Sequence, residues 1–174
     1  VADSTSGRPE PAAETAEPID PVLLEIFESE TEAHLQTLKD FLDATGDKSS
    51  VAYTDDLSRA LHTLKGSAQT AGIGPIARVI TPLERFVKEA RAQNHRADRD
   101  VIKLIEQACS FITEGLGQIA ENPQSELPGT DAFLHKLEAV ANATLQSATS
   151  EHDEARPRTS PQLVQLFLNE GLDI

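Results

Sequence analysis

Apolar positions recur at helical spacing through most of the 174 residues, and five segments carry the pattern. The first helix is predicted over about 20–44, capped by Asp20 and opened by Pro21, with Leu23, Phe27, Leu35, Leu38 and Leu42 on one face. Gly46-Asp47 ends it. A second is predicted over about 51–71, with Leu57, Leu61, Leu64, Ala68 and Ala71 as its core stripe. Gly72-Ile73-Gly74-Pro75 reads as a stop followed by a start, so the third runs over about 75–94 and buries Ile76, Val79, Ile80, Leu83, Phe86, Val87 and Ala90. The fourth, about 98–120, opens with Asp98 and buries Val101, Leu104, Ile105, Ala108, Ile112 and Ile119, with Gly115 and Gly117 weakening its last turns. After Asn122-Pro123 a fifth begins at Thr130 and runs to about 148, burying Phe133, Leu134, Leu137 and Val140. No useful length of period-two alternation appears, so the expected fold is all-α. Long helices joined by short loops pack as an up-down antiparallel bundle with crossings near ~20°.

The flanks lack this periodicity. Residues 1–18, rich in Ala, Glu, Pro, Ser and Thr, and the polar 149–160 read as linkers. Fifteen basic against twenty-nine acidic residues give a net charge of −14, which disfavours nucleic acid and anionic membranes as partners. No apolar run approaches the ~18 residues of a membrane span, and the N-terminus lacks the makings of a signal peptide. A cytoplasmic location is the default. The single cysteine, Cys109, reads as a small packed apolar residue.

Candidate chemistry concentrates in Leu61-His62-Thr63-Leu64-Lys65-Gly66-Ser67-Ala68-Gln69 on the second helix. At ~100° per residue, Lys65 lies about 60° from His62, Gly66 about 40° and Gln69 about 20°, all opposite the core stripe. His62 is therefore expected to face solvent, with a cation and a side-chain-free gap beside it. A neutral imidazole offers one ring nitrogen as nucleophile while the other donates a hydrogen bond. Phosphoryl transfer asks mainly for such positioning plus charge compensation. The stretch resembles the phosphoacceptor helix of histidine phosphotransfer (HPt) domains, which reads His-x-x-Lys-Gly-small-small and then Gly. Ala71 departs from it, standing where that family often has a larger apolar residue.

The resemblance covers about 20–120 and implies that the first four helices form a four-helix bundle, with the C-terminal helix over 123–148 as an addition. It implies that His62 carries a phosphoryl group. Lys65 would compensate charge, Gly66 would admit a partner's active site, and Ser58, Arg59 and Gln69 would border the contact surface. The donors and acceptors would be a response-regulator receiver domain and the ATP-binding kinase domain of a parent protein. No Gly-rich phosphate loop is present, so this chain has no ATP site of its own. It needs no cofactor, and Mg2+ would belong to the receiver.

Glu84 has two readings. It lies ten residues after Gly74, as His62 lies ten before Gly72, so in antiparallel helices both sit about 15 Å from the turn. A carboxylate there would fix the imidazole tautomer. The Leu83-Glu84 pair resembles one at this offset in HPt domains of chemotaxis-type (CheA-like) histidine kinases. Alternatively, Thr81-Pro82-Leu83-Glu84 is a capping box in which Pro82 restarts the helix and Glu84 satisfies Thr81.

Pro161–Glu170 matches Pro21–Glu30 at a shift of 140, with Pro, Leu, Phe and Glu identical. Such self-similarity marks an array, and 161–174 reads as the start of a following unit. Multi-HPt hybrid kinases of type IV pilus and twitching systems have this layout. Two rival functions remain: a helical docking module silent in phosphotransfer, and a metal-binding bundle. His34, His95, His135 and His152 lack partners at ligand spacing, so no metal site is expected.

Overall fold

The computed structural model describes residues 19–154. The predicted linker over 1–18 and the repeat over 161–174 lie outside them. Among the described residues five helices form: α1 Pro21–Thr45, α2 Asp55–Thr70, α3 Gly74–Ala92, α4 Arg99–Ile119 and α5 Thr130–Glu154. The fold is all-α, a helical bundle. The last helix passes the expected end at 148, so 149–154 is helix rather than linker.

Two departures from the periodicity reading occur at one end of the bundle. The second helix starts at Asp55 rather than near 51, because the Thr54 side chain accepts from the Leu57 amide and Asp55 and Asp56 occupy the electropositive first turn. The residues before it form strand β1 (Ser50–Ala52), antiparallel to β2 (Arg96–Asp98), with Val51 opposite Ala97. This ribbon ties the α1–α2 connection to the α3–α4 connection. Three residues per strand are too few for an alternating pattern to register.

Each turn has an identifiable physical cause. Gly72 takes φ 71° after α2, and the Ile73 and Gly72 amides close back onto the Ala68 and Gln69 carbonyls in a Schellman motif. Asn94 does the same after α3 at φ 58°, with His95 bonding to Ala90 and Asn94 to Arg91. The chain thus reverses sharply between α2 and α3, which run antiparallel side by side.

The core is aliphatic and continuous through α1–α4: Leu38, Leu57, Leu61, Leu64, Ile76, Ile80, Leu83, Leu104, Ile105 and Ile112 are fully enclosed. A Cβ on Gly115 of α4 would stand 2.8 Å from Ile76 Cγ1, so the glycine permits close α3–α4 packing. Helix α5 packs on α3 and α4, burying Phe133 edge-on against Phe111 with ring centroids 5.4 Å apart. Leu23, expected in the core, is exposed together with Val22 and Ile26. Cys109 is buried as expected, and burial pushes its thiol up to about 11.

Candidate functional site

Helix α2 presents His62 outward, with α1 on one flank and α3 on the other. Its side chain is 70% exposed, as the helical angle predicts. Behind it, Leu61 and Leu64 are fully buried, so the backbone beneath the imidazole is anchored.

Glu84 comes up from α3 to meet it. Its Oε1 lies 3.0 Å from His62 Nδ1 and its Oε2 lies 3.0 Å from Lys65 Nζ. An ammonium can only donate, and an ionised carboxylate can only accept, so Nδ1 carries the proton facing Glu84. In the neutral imidazole the lone pair is then on Nε2, at the far edge of the ring. The carboxylate is 8% exposed. Burial pushes its pKa up, but hydrogen bonds and charge from His62 and Lys65 outweigh that, and it stays below the ordinary glutamate value.

The alternative role for Glu84 does not form. Helix α3 begins at Gly74 and runs unbroken through Pro82 to Ala92. Thr81 is therefore interior rather than a cap, and both Glu84 oxygens are spent on α2. Pro82 lacks the amide that would bond the Arg78 carbonyl, one ladder bond that the surrounding packing of Val79, Ile80, Leu83 and Phe86 offsets.

Lys65 stands elsewhere than charge compensation alone suggests. Its ammonium is engaged with Glu84, so it holds the carboxylate that holds the imidazole. Gly66 is exposed, and a Cβ there would meet nothing within 4 Å. Nothing among the described residues requires this glycine. Gln69 is exposed one turn further on and borders neither groove beside His62.

Those grooves differ. Between α2 and α3, Ser58, Arg59, Leu61, Val87 and Lys88 line a cleft that reaches His62 and Glu84. The Ser58 hydroxyl is buried in its wall without a hydrogen-bond partner among the described residues. Between α1 and α2, Leu23, Ile26, Phe27, Gly66 and Ala71 make an apolar hollow on the other flank, edged by a Ser67–Glu30 hydrogen bond of 3.0 Å. Sequence reasoning placed Ser58 and Arg59 at the site but missed Val87, Lys88 and Ile26. Ile26 lies off the apolar stripe of its helix, and that misplacement was the available signal. Among the described residues no three His, Cys, Asp or Glu side chains cluster to hold a metal ion, and no helix is long and apolar enough to cross a membrane.

A family model described as the Hpt domain matches residues 22–142. The fold is also similar to a crystal structure of the phosphorylated P1 domain of CheA3 in complex with CheY6 from R. sphaeroides, with a TM-score of 0.61 and 15% identity over 71% of this chain and 98% of that one. At that identity the likeness bears on the fold alone.

Proposed function

The chain belongs to the Hpt domain family, and from that premise we propose that His62 is its phosphoacceptor, exchanging a phosphoryl group with the aspartate of a response-regulator receiver domain and receiving it from an ATP-binding kinase domain. One observation carries the assignment: an exposed imidazole whose Nδ1 is held by a buried carboxylate, leaving Nε2 as the free nucleophile.

The step balances within this geometry. The Nε2 lone pair attacks phosphorus, the Nε2–P bond forms, and the bond from phosphorus to the donor oxygen breaks with its electron pair leaving on the donor. The ring keeps its Nδ1 proton and becomes a cation, which the Glu84 carboxylate stabilises. Glu84 is thus a positioning residue that also compensates developing charge, and Lys65 fixes its second oxygen. Gly66 leaves clearance for the partner to close over the ring, with Ser58, Arg59 and Gln69 at the rim of the covered area. The Mg2+ and the catalytic carboxylates belong to the partner.

The Leu83-Glu84 pair supports placing the module with CheA-like kinases of the chemotaxis type, and the repeat at 161–170 supports an array of such modules, as in pilus-type hybrid kinases. The solved relative was crystallised with a CheY protein, in keeping with a receiver as partner.

Incubation with a phosphorylated receiver tests the assignment. Acid-labile, base-stable phosphate is expected on the wild-type chain and none on His62→Gln. Equal label on both moves the acceptor away from His62, and none on either leaves a docking module that does not transfer phosphate.

A further inference from the structure

We infer that Asp55 and Arg91 are positioning residues for His62: their ion pair holds the outer edges of α2 and α3 in the register and roll that bring Glu84 to the imidazole. This rests on His62 being the phosphoacceptor and adds two residues, about 10 Å along the helices from it, on which its orientation depends.

Arg91 Nη2 donates to Asp55 Oδ1 across the same two helices that His62 and Glu84 join. Counting places the two bonds on one seam. Asp55 precedes His62 by seven residues and Arg91 follows Glu84 by seven, so each lies two turns away and within about 20° of the same helical face. Ser58 and Lys88, four residues from His62 and Glu84, fall on a rung between them and line the same cleft. The turn obeys this register too, since Gly72 and Gly74 stand ten residues from His62 and Glu84. One antiparallel register therefore runs from the turn, through the reactive pair, to Asp55 and Arg91.

The core fixes how far apart the helices lie, but less firmly the roll of their outer edges. Leu57, Leu61, Leu64, Leu83, Val87 and Ala90 are buried beneath the seam, and apolar contact is non-directional. Above it, among the described residues, three side-chain hydrogen bonds join α2 to α3: two end on Glu84 and the third is Arg91–Asp55. The turn holds one end, about 15 Å from His62, and Arg91–Asp55 closes the other, about 25 Å from the turn. A clamp on the longer arm restrains the splay most. An opening of about 1 Å there becomes about 0.6 Å at His62, and the 3.0 Å bond to Glu84 then leaves hydrogen-bond range. The ribbon does not replace this clamp. It reaches the helices only through residues 53–54 and 93–95, so it limits their separation without setting which faces meet.

The test compares wild type with Arg91→Glu, which sets two carboxylates face to face, with Arg91→Lys, and with the swap Asp55→Arg/Arg91→Glu. The Asp55 and Arg91 side chains are 64% and 42% exposed, so every variant is expected to keep its far-UV circular dichroism. Heteronuclear NMR of the neutral His62 ring is expected to show the Nδ1–H tautomer in wild type and a growing share of Nε2–H in Arg91→Glu. Labelling by phosphoramidate alone and by a phosphorylated receiver is expected to slow by the same factor, about three- to fivefold, the scale on which exposed ion pairs act. Arg91→Lys and the swap are expected to restore the tautomer and bring both rates within about twofold of wild type. The swap is nonetheless expected to melt below wild type, because its charges oppose both helix dipoles. That combination separates positioning from stability. An unchanged tautomer in Arg91→Glu, a fall confined to the receiver reaction, or a swap that does not restore the ring overturns the proposal. Failure of phosphoramidate to label the wild-type histidine overturns instead the assignment of His62.

Discussion

One carboxylate organises the reactive residues. Glu84 accepts from both His62 and Lys65, and each of those bonds reaches across from α2 to α3. Removing its charge while keeping its shape, as in Glu84→Gln, lets the imidazole turn and removes the counter-charge from the phosphorylated ring. A hydrogen bond to a charged group contributes about 1.5–3 kcal/mol, so transfer from a phosphorylated receiver is expected to slow about ten- to a hundredfold, read by rapid-quench labelling. The same carboxylate sets a pH dependence of stability. Its folded pKa lies below the unfolded one, so its contribution is present above the unfolded value and is lost as pH falls through the folded value. Thermal melts of the wild type are expected to weaken through the acid range more than those of Glu84→Gln; parallel curves would refute this. Gly66 makes the opposite trade. With open space around its Cβ position, Gly66→Ala is expected to gain about 0.5–1 kcal/mol of stability, measured by urea unfolding, and to slow transfer only when a receiver is the partner. His62, Gly66 and the height match with Glu84 were legible from angles and counting. The Lys65–Glu84 bond was not, because its geometry depends on where two helices touch rather than on spacing within either.

Helices were legible wherever a stripe of three or more turns had to be buried, which is why all five were found with ends off by a few residues. The ambiguities and omissions occurred where short-range signals and tertiary packing disagreed. Thr81-Pro82 carries the local marks of a helix start, yet Val79, Ile80, Leu83 and Phe86 are buried on one continuous face, and that packing keeps α3 unbroken. The ribbon was invisible because its two strands are brought together only by the helices they connect. Gly115 illustrates the same limit. In sequence it weakens a helix, but in the bundle it admits Ile76. Gly115→Ala would therefore reverse the usual propensity gain and cost about 1–3 kcal/mol by overpacking, whereas Gly117→Ala, with nothing near its Cβ, is expected to stabilise. Opposite signs in chemical denaturation are the expected result, and a gain from both would show that α3 and α4 are further apart than described.

At the level of the whole molecule, the fifth helix leaves the reactive face open. It packs on α3 and α4, opposite the α1–α2 side, so it can add core without covering His62 or either groove. What it adds is substantial. Phe133 is completely buried against Phe111, Leu137 and Leu127 are nearly so, and Arg78 on α3 pairs with Asp131 at the start of α5. The family match runs on to residue 142, well into this helix. Truncating Phe133 to alanine leaves a large cavity with Phe111 on one side, an expected cost of about 3–5 kcal/mol. That is a large fraction of the ~5–15 kcal/mol by which a domain is stable, so the variant is expected to melt well below the wild type. Because His62, Lys65 and Glu84 sit on α2 and α3 away from the lesion, labelling by phosphoramidate at low temperature is expected to persist in the fraction that remains folded. A melt within a degree or two of wild type would reduce α5 to an appendage. Loss of labelling while the fold is intact would mean that α5 sets the relative height of α2 and α3, and with it the bond between Glu84 and the histidine.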